Sequence, residues 1–147
     1  MPTLWGEFGH GLTGKECEEE NADKPSDRVG TEPIETMGIF RMYVGLDGKS
    51  HLEEQTLAEH PLLTKPQTAK LIVFAEQPAG TFLDWHPAPR RQYVIVVSGQ
   101  LEIGLGDGTL RRFGPGDARL VEDTTGQGHT TRYLGPGPVI TATIPLA

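Results

Sequence analysis

Between residues 39 and 144 the chain breaks into ten short runs rich in β-branched and aromatic residues, and this alternation of runs and turns limits the fold most. The runs are Ile39–Val44, His51–Leu57, Lys70–Ala75, Thr81–His86, Gln92–Ser98, Leu101–Leu105, Thr109–Phe113, Arg119–Glu122, Thr130–Leu134 and Val139–Ile144. Between them stand Gly45-Leu46-Asp47-Gly48, Pro78-Ala79-Gly80, Ser98-Gly99, Gly106-Asp107-Gly108, Gly114-Pro115-Gly116-Asp117 and Gly135-Pro136-Gly137-Pro138. Such sequences mark tight turns, because glycine reaches backbone conformations closed to other residues and proline stops a ladder. After residue 65 no stretch has the period of an amphipathic helix. So many short strands in one domain imply a sandwich or barrel, the architectures that leave few strand edges open. Tyr93-Val94-Ile95-Val96-Val97 is apolar at both parities, so that strand is expected to be covered on both faces, one by a second sheet or a dimer partner.

At 147 residues, with 36% hydrophobic and 22% charged residues, the chain is long enough for one domain with a real core. Residues 1 to 36 read differently: spaced glycines, an acidic run from Glu16 to Glu20 and no sustained period predict an irregular N-terminal arm, with Trp5 and Phe8 as anchors. The formal net charge of −7 argues against nucleic acid or an anionic membrane surface as partner. No apolar run approaches a membrane span, and the first twenty residues lack a basic start followed by an apolar core. A single cysteine, Cys17, excludes an intrachain disulfide, and the acidic residues around it oppose a reactive thiolate. The expectation is a cytoplasmic protein.

One segment has chemistry in it. Residues 80 to 99 read G-TFLDW-H-P-A-PRR-Q-YVIVVS-G, with Gly80, His86, Gln92 and Gly99 in the spacing G-xxxxx-H-x-H-xxx-E-xxxxxx-G. This resembles the first signature of the cupin superfamily. Ala88 stands where that signature has a second histidine, and Gln92 where it has a glutamate. His129, in EDTTGQGHTTR, resembles the histidine of the second signature, at a span from Asp117 about two residues longer than usual and without the usual proline.

The resemblance implies an all-β, cupin-type jelly-roll barrel over residues 37 to 147, preceded by the arm, with a pocket in its mouth. It implies His86, Gln92 and His129 as pocket residues. In a metal-bearing version these three would hold one divalent ion (Zn, Fe, Mn or Ni), with Asp84, Glu122, Asp123 or His51 filling the missing position, for oxygenase or isomerase chemistry. In a metal-free version His86 and His129 act as general acid and base, since imidazole titrates near neutrality, and Gln92 orients a substrate carbonyl or hydroxyl. Arg90 and Arg91 would then hold an anionic group, with His51 and Asp84 as further contacts. Strand parity places Asp84 on the face of His86, and Glu122-Asp123 at the pocket rim or in a capped turn. The leading expectation is a homodimeric enzyme of isomerase, cyclase or lyase type acting on a small metabolite. The alternative is a non-catalytic barrel that binds a small ligand.

Overall fold

A computed structural model describes residues 38–147. The expected arm over residues 1 to 36, with Trp5, Phe8 and Cys17, lies outside the described residues. Ten strands follow in order: β1 (Ile39–Val44), β2 (Ser50–Gln55), β3 (Val73–Gln77), β4 (Phe82–His86), β5 (Gln92–Ser98), β6 (Gln100–Gly104), β7 (Leu110–Phe113), β8 (Ala118–Val121), β9 (His129–Leu134) and β10 (Val139–Pro145). A single 3₁₀ turn, Pro61–Thr64, lies between β2 and β3. Among the described residues no helix is long and apolar enough to cross a membrane.

The strands form two sheets, one in the order β2-β1-β8-β5-β10-β3 and the other β4-β9-β6-β7. β1 runs parallel to β8, and every other neighbour is antiparallel. Two facing sheets agree with the sandwich or barrel that the alternation of strands and turns predicts and with the jelly roll that the resemblance implies, although the sheets do not close into a barrel. β3 alone is displaced: the apolar run suggests Lys70–Ala75, yet pairing with β10 begins at Val73. Leu71 and Ile72 remain about half exposed, because the β10 ladder, and not the apolar run, sets where β3 starts.

The core between the sheets is built from the inward parities of five strands. Phe40 and Met42 of β1 meet Val96 of β5, Leu101 and Ile103 of β6, Phe113 of β7 and Val121 of β8, all almost fully buried. Phe40 and Phe113 pack edge to face, with ring centroids 5.2 Å apart. β5 does not meet the expectation of cover on both faces among the described residues. Gln92 and Val96 on its inner face are buried, while on its outer face Tyr93 and Ile95 are half-buried and Val97 is 48% exposed.

Candidate functional site

Beside this core the sheets part around a cavity of about 180 Å³. Its wall takes His86 from β4, Gln92 and Val94 from β5, Arg119 from β8, and His129 and Tyr133 from β9. The two histidines are far apart in the sequence, yet the β4–β9 ladder places them directly opposite one another. Their ring centroids lie 4.5 Å apart at a tilt of 57°. Gly128 makes this approach feasible. Its φ is +81°, and a Cβ there would overlap the carbonyl oxygen of His86.

Each imidazole has one nitrogen occupied. Nδ1 of His86 donates to the carbonyl oxygen of Asp84 at 2.6 Å, since a carbonyl can only accept. Nδ1 of His129 lies 2.6 Å from Oδ2 of Asp123, a carboxylate with no solvent exposure. Ser50 Oγ donates to the same oxygen at 2.6 Å. These partners fix both tautomers with the proton on Nδ1 and leave Nε2 as the free ring nitrogen. Burial lowers the pKa of His129 below its ordinary value of 6.5, and the nearby cation of Arg119 and the His86 ring add to this. The hydrogen bond to Asp123 opposes the shift without cancelling it, so His129 is neutral at neutral pH.

The other sequence-predicted residues are scattered. Asp84 is exposed and does not line the cavity; only its backbone carbonyl serves His86. The parity expectation fails there because of a β-bulge. Leu83 pairs with Thr131 and His86 with His129, so Asp84 and Trp85 together oppose Thr130 alone. The extra residue brings Leu83 and His86 into the wall. His51 likewise lies outside this cavity: it sits by the β1–β2 turn, stacked on Tyr43 and 3.0 Å from Asp47. Arg91 points away, its Nε 2.5 Å from Glu122, which also takes Arg41 at 2.7 Å. Burial alone would raise the Glu122 carboxyl, but these two guanidinium groups outweigh it and hold the pKa below the ordinary value. Arg90 is exposed beside the site, its Nη1 3.4 Å from Oε1 of Gln92.

Asp123, expected at the rim or as a metal ligand, is instead the orienting carboxylate behind His129. Two further wall residues escape the sequence patterns altogether. Tyr133 shares the inward parity of His129 and Thr131 on β9, and burial raises its phenol pKa. Arg119 shares the inward parity of Val121 on β8, and the signal available was a charged residue in a strand of otherwise apolar inner positions.

The convergence of His86, Gln92 and His129 on one cavity, within this strand order, joins the signature to the fold. This is the placement that the resemblance to the cupin signature implies. No family model matches the sequence, and no curated protein matches it. Solved structures do. KdgF from Halomonas sp. is 31% identical over 52% of this chain and 69% of its own chain, with a TM-score of 0.39. An uncharacterized conserved protein with a double-stranded β-helix domain from Klebsiella pneumoniae is 24% identical over 55% of this chain and 75% of its own, with a TM-score of 0.42. A cupin domain from Bordetella pertussis is 14% identical over 56% and 92%, with a TM-score of 0.42. These are partial overlaps and concern the fold alone.

The donor set of this cavity does not fit a resident divalent ion. It offers two imidazoles and the amide of Gln92, which already lies within reach of Arg90. Among the described residues no carboxylate lines the cavity, because Asp123 stands behind His129 and Ala88 fills the other signature position. Nor do any three histidine, cysteine or acidic side chains come together among them. Meanwhile the buried guanidinium of Arg119 faces the same space and would repel a cation.

Proposed function

We propose that this protein is a small-molecule enzyme working by acid–base chemistry between two imidazoles, of isomerase, cyclase or lyase type. The observation that carries the reading is the pair of cavity-lining rings 4.5 Å apart, each with Nδ1 engaged and Nε2 left for a substrate. His129, kept neutral by burial and oriented by Asp123, is the base. It takes a proton from the bound molecule. His86, less buried, enters the step as the imidazolium with its second proton on Nε2, delivers that proton to another atom of the same molecule and recovers one from solvent. One proton leaves the substrate and one returns, so the step needs no oxidant. Gln92 is buried in the wall and orients a carbonyl or hydroxyl with its amide.

The test is substitution once a turned-over substrate is in hand. His86→Ala and His129→Ala are each expected to lower kcat by about 10²- to 10⁴-fold, the usual range for general acid–base groups. Unchanged turnover in both would overturn the assignment, and a saturating ligand that is bound but never converted would make this a binding barrel. A homodimer belongs to the same proposal. It is supported by the outer face of the six-stranded sheet, where Phe74 (66% exposed) aligns with Ala142 and Ile95. A monomer mass by sedimentation at micromolar concentration would contradict it.

A further inference from the structure

The least explained group in the molecule is Arg119. It is 5% exposed, and no hydrogen bond or ion pair among the described residues engages it. Its Nε is buried without a partner, and its guanidinium lies 5.1 Å from the ring centroid of Phe113. Buried charges ordinarily have partners, because an unpaired one loses its hydration for nothing. Among the described residues the buried carboxylates each have partners, although Oδ1 of Asp123 has none of its own. Asp123 accepts from Ser50 and His129, and Asp117 accepts from the backbone N–H groups of Gly38 and Gly114. The exception is the one that faces the cavity.

We propose that the ligand of this cavity is a small organic monocarboxylate whose carboxylate pairs with Arg119. The inference names the substrate class for the acid–base site above and rests on that reading only for the chemistry after binding. Three observations converge on it. A guanidinium and a carboxylate match as two planar forks, giving paired charge-assisted hydrogen bonds. The cavity wall adds the hydroxyls of Thr131, Tyr133, Thr141 and Thr143 but no carboxylate, so nothing in the wall competes for the cation. The space of about 180 Å³ is close to the roughly 150 Å³ that admits a benzene-sized molecule, so it suits a small organic acid. A single unpaired positive charge also matches a monoanion better than a phosphate dianion. Burial has pushed the Arg119 pKa down to about 10, and the more distant Tyr133 and Asp123 offset this only in part. An arriving carboxylate supplies the missing counter-charge.

Nitrogen-15 labelled protein tests this with benzoate, its neutral isostere benzamide, and inorganic phosphate as probes. The Nε–H resonance of Arg119, assigned by its loss in Arg119→Gln, is expected to shift saturably with benzoate. Affinity for benzamide and for phosphate is expected to be at least about tenfold weaker, the effect of losing one charge-assisted buried hydrogen bond. Equal binding of benzamide, a preference for phosphate, or no saturable shift with benzoate would each overturn the proposal. Arg119→Gln should erase the preference for benzoate over benzamide; if that variant does not fold, Arg119→Lys gives the assignment, and the wild-type preference among the three probes still decides. Failure of the acid–base reading shows differently, as intact benzoate binding with turnover insensitive to His86→Ala and His129→Ala.

Discussion

Between the same two sheets, the region around Phe40, Met42, Ile103 and Phe113 is apolar and sealed, whereas the region around His86, Arg119 and His129 is polar and holds open space. The two are neighbours: Val121 belongs to both, and Arg119 lies against the face of Phe113 at their border. The sealed region stabilises by burial and close packing. The polar region gives up that gain. It keeps a cavity, an unpaired guanidinium and a buried carboxylate with one oxygen, Oδ1 of Asp123, lacking a partner. One half of the interior holds the sheets together, and the other half is left free for chemistry.

Substitutions in each half should therefore separate stability from activity. The largest stability effect is expected on the sealed side, where Phe113→Ala leaves a cavity against Phe40 and costs about 3–5 kcal/mol, read by urea unfolding. A cost below about 1 kcal/mol would mean that this half does not hold the sheets. On the polar side Asp123→Asn is expected to lower turnover by up to about 10⁴-fold, because an amide no longer fixes the His129 tautomer. Its pH profile gives the sign. The carboxylate raises the His129 pKa against burial, so removing it moves the acid limb of kcat/KM to lower pH, and an upward move would contradict the role. The smallest effect belongs to neither half. Arg91→Ala removes an exposed ion pair with Glu122 and is expected to change stability by less than about 1 kcal/mol, with turnover unaltered.

The strands are more legible in the sequence than the cavity is, for a physical reason. Strand and turn signals are local, so all ten runs have counterparts, and only β3, whose start depends on distant β10, is displaced. The signature spacing likewise leads to His86, Gln92 and His129, which share the cavity. Parity, by contrast, counts residues along an unbroken pleat. The bulge after Leu83 breaks that count and turns Asp84 outward. Arg119 escapes for another reason. A lone arginine in a short strand reads as a solvated edge residue, and only the three-dimensional closure of β8 between β1 and β5 buries it.

Acid–base chemistry at this site depends on both imidazoles offering Nε2 to the cavity, with His129 held neutral. Long-range nitrogen-15 correlation spectra of the histidine rings across pH observe both conditions at once. The expected result is the neutral Nδ1–H tautomer for His129 near neutral pH, with its second proton taken up only below 6.5, in line with its lowered pKa, and an Nδ1–H held at His86 with Nε2 as its exchanging nitrogen. The linked stability has the same sign. As pH falls below 6.5 the unfolded chain binds a proton at residue 129 that the native state does not, so stability declines with acidification through that window. An Nε2–H tautomer at His129, or protonation of that ring above 6.5, would remove the base from the site and refute the assignment.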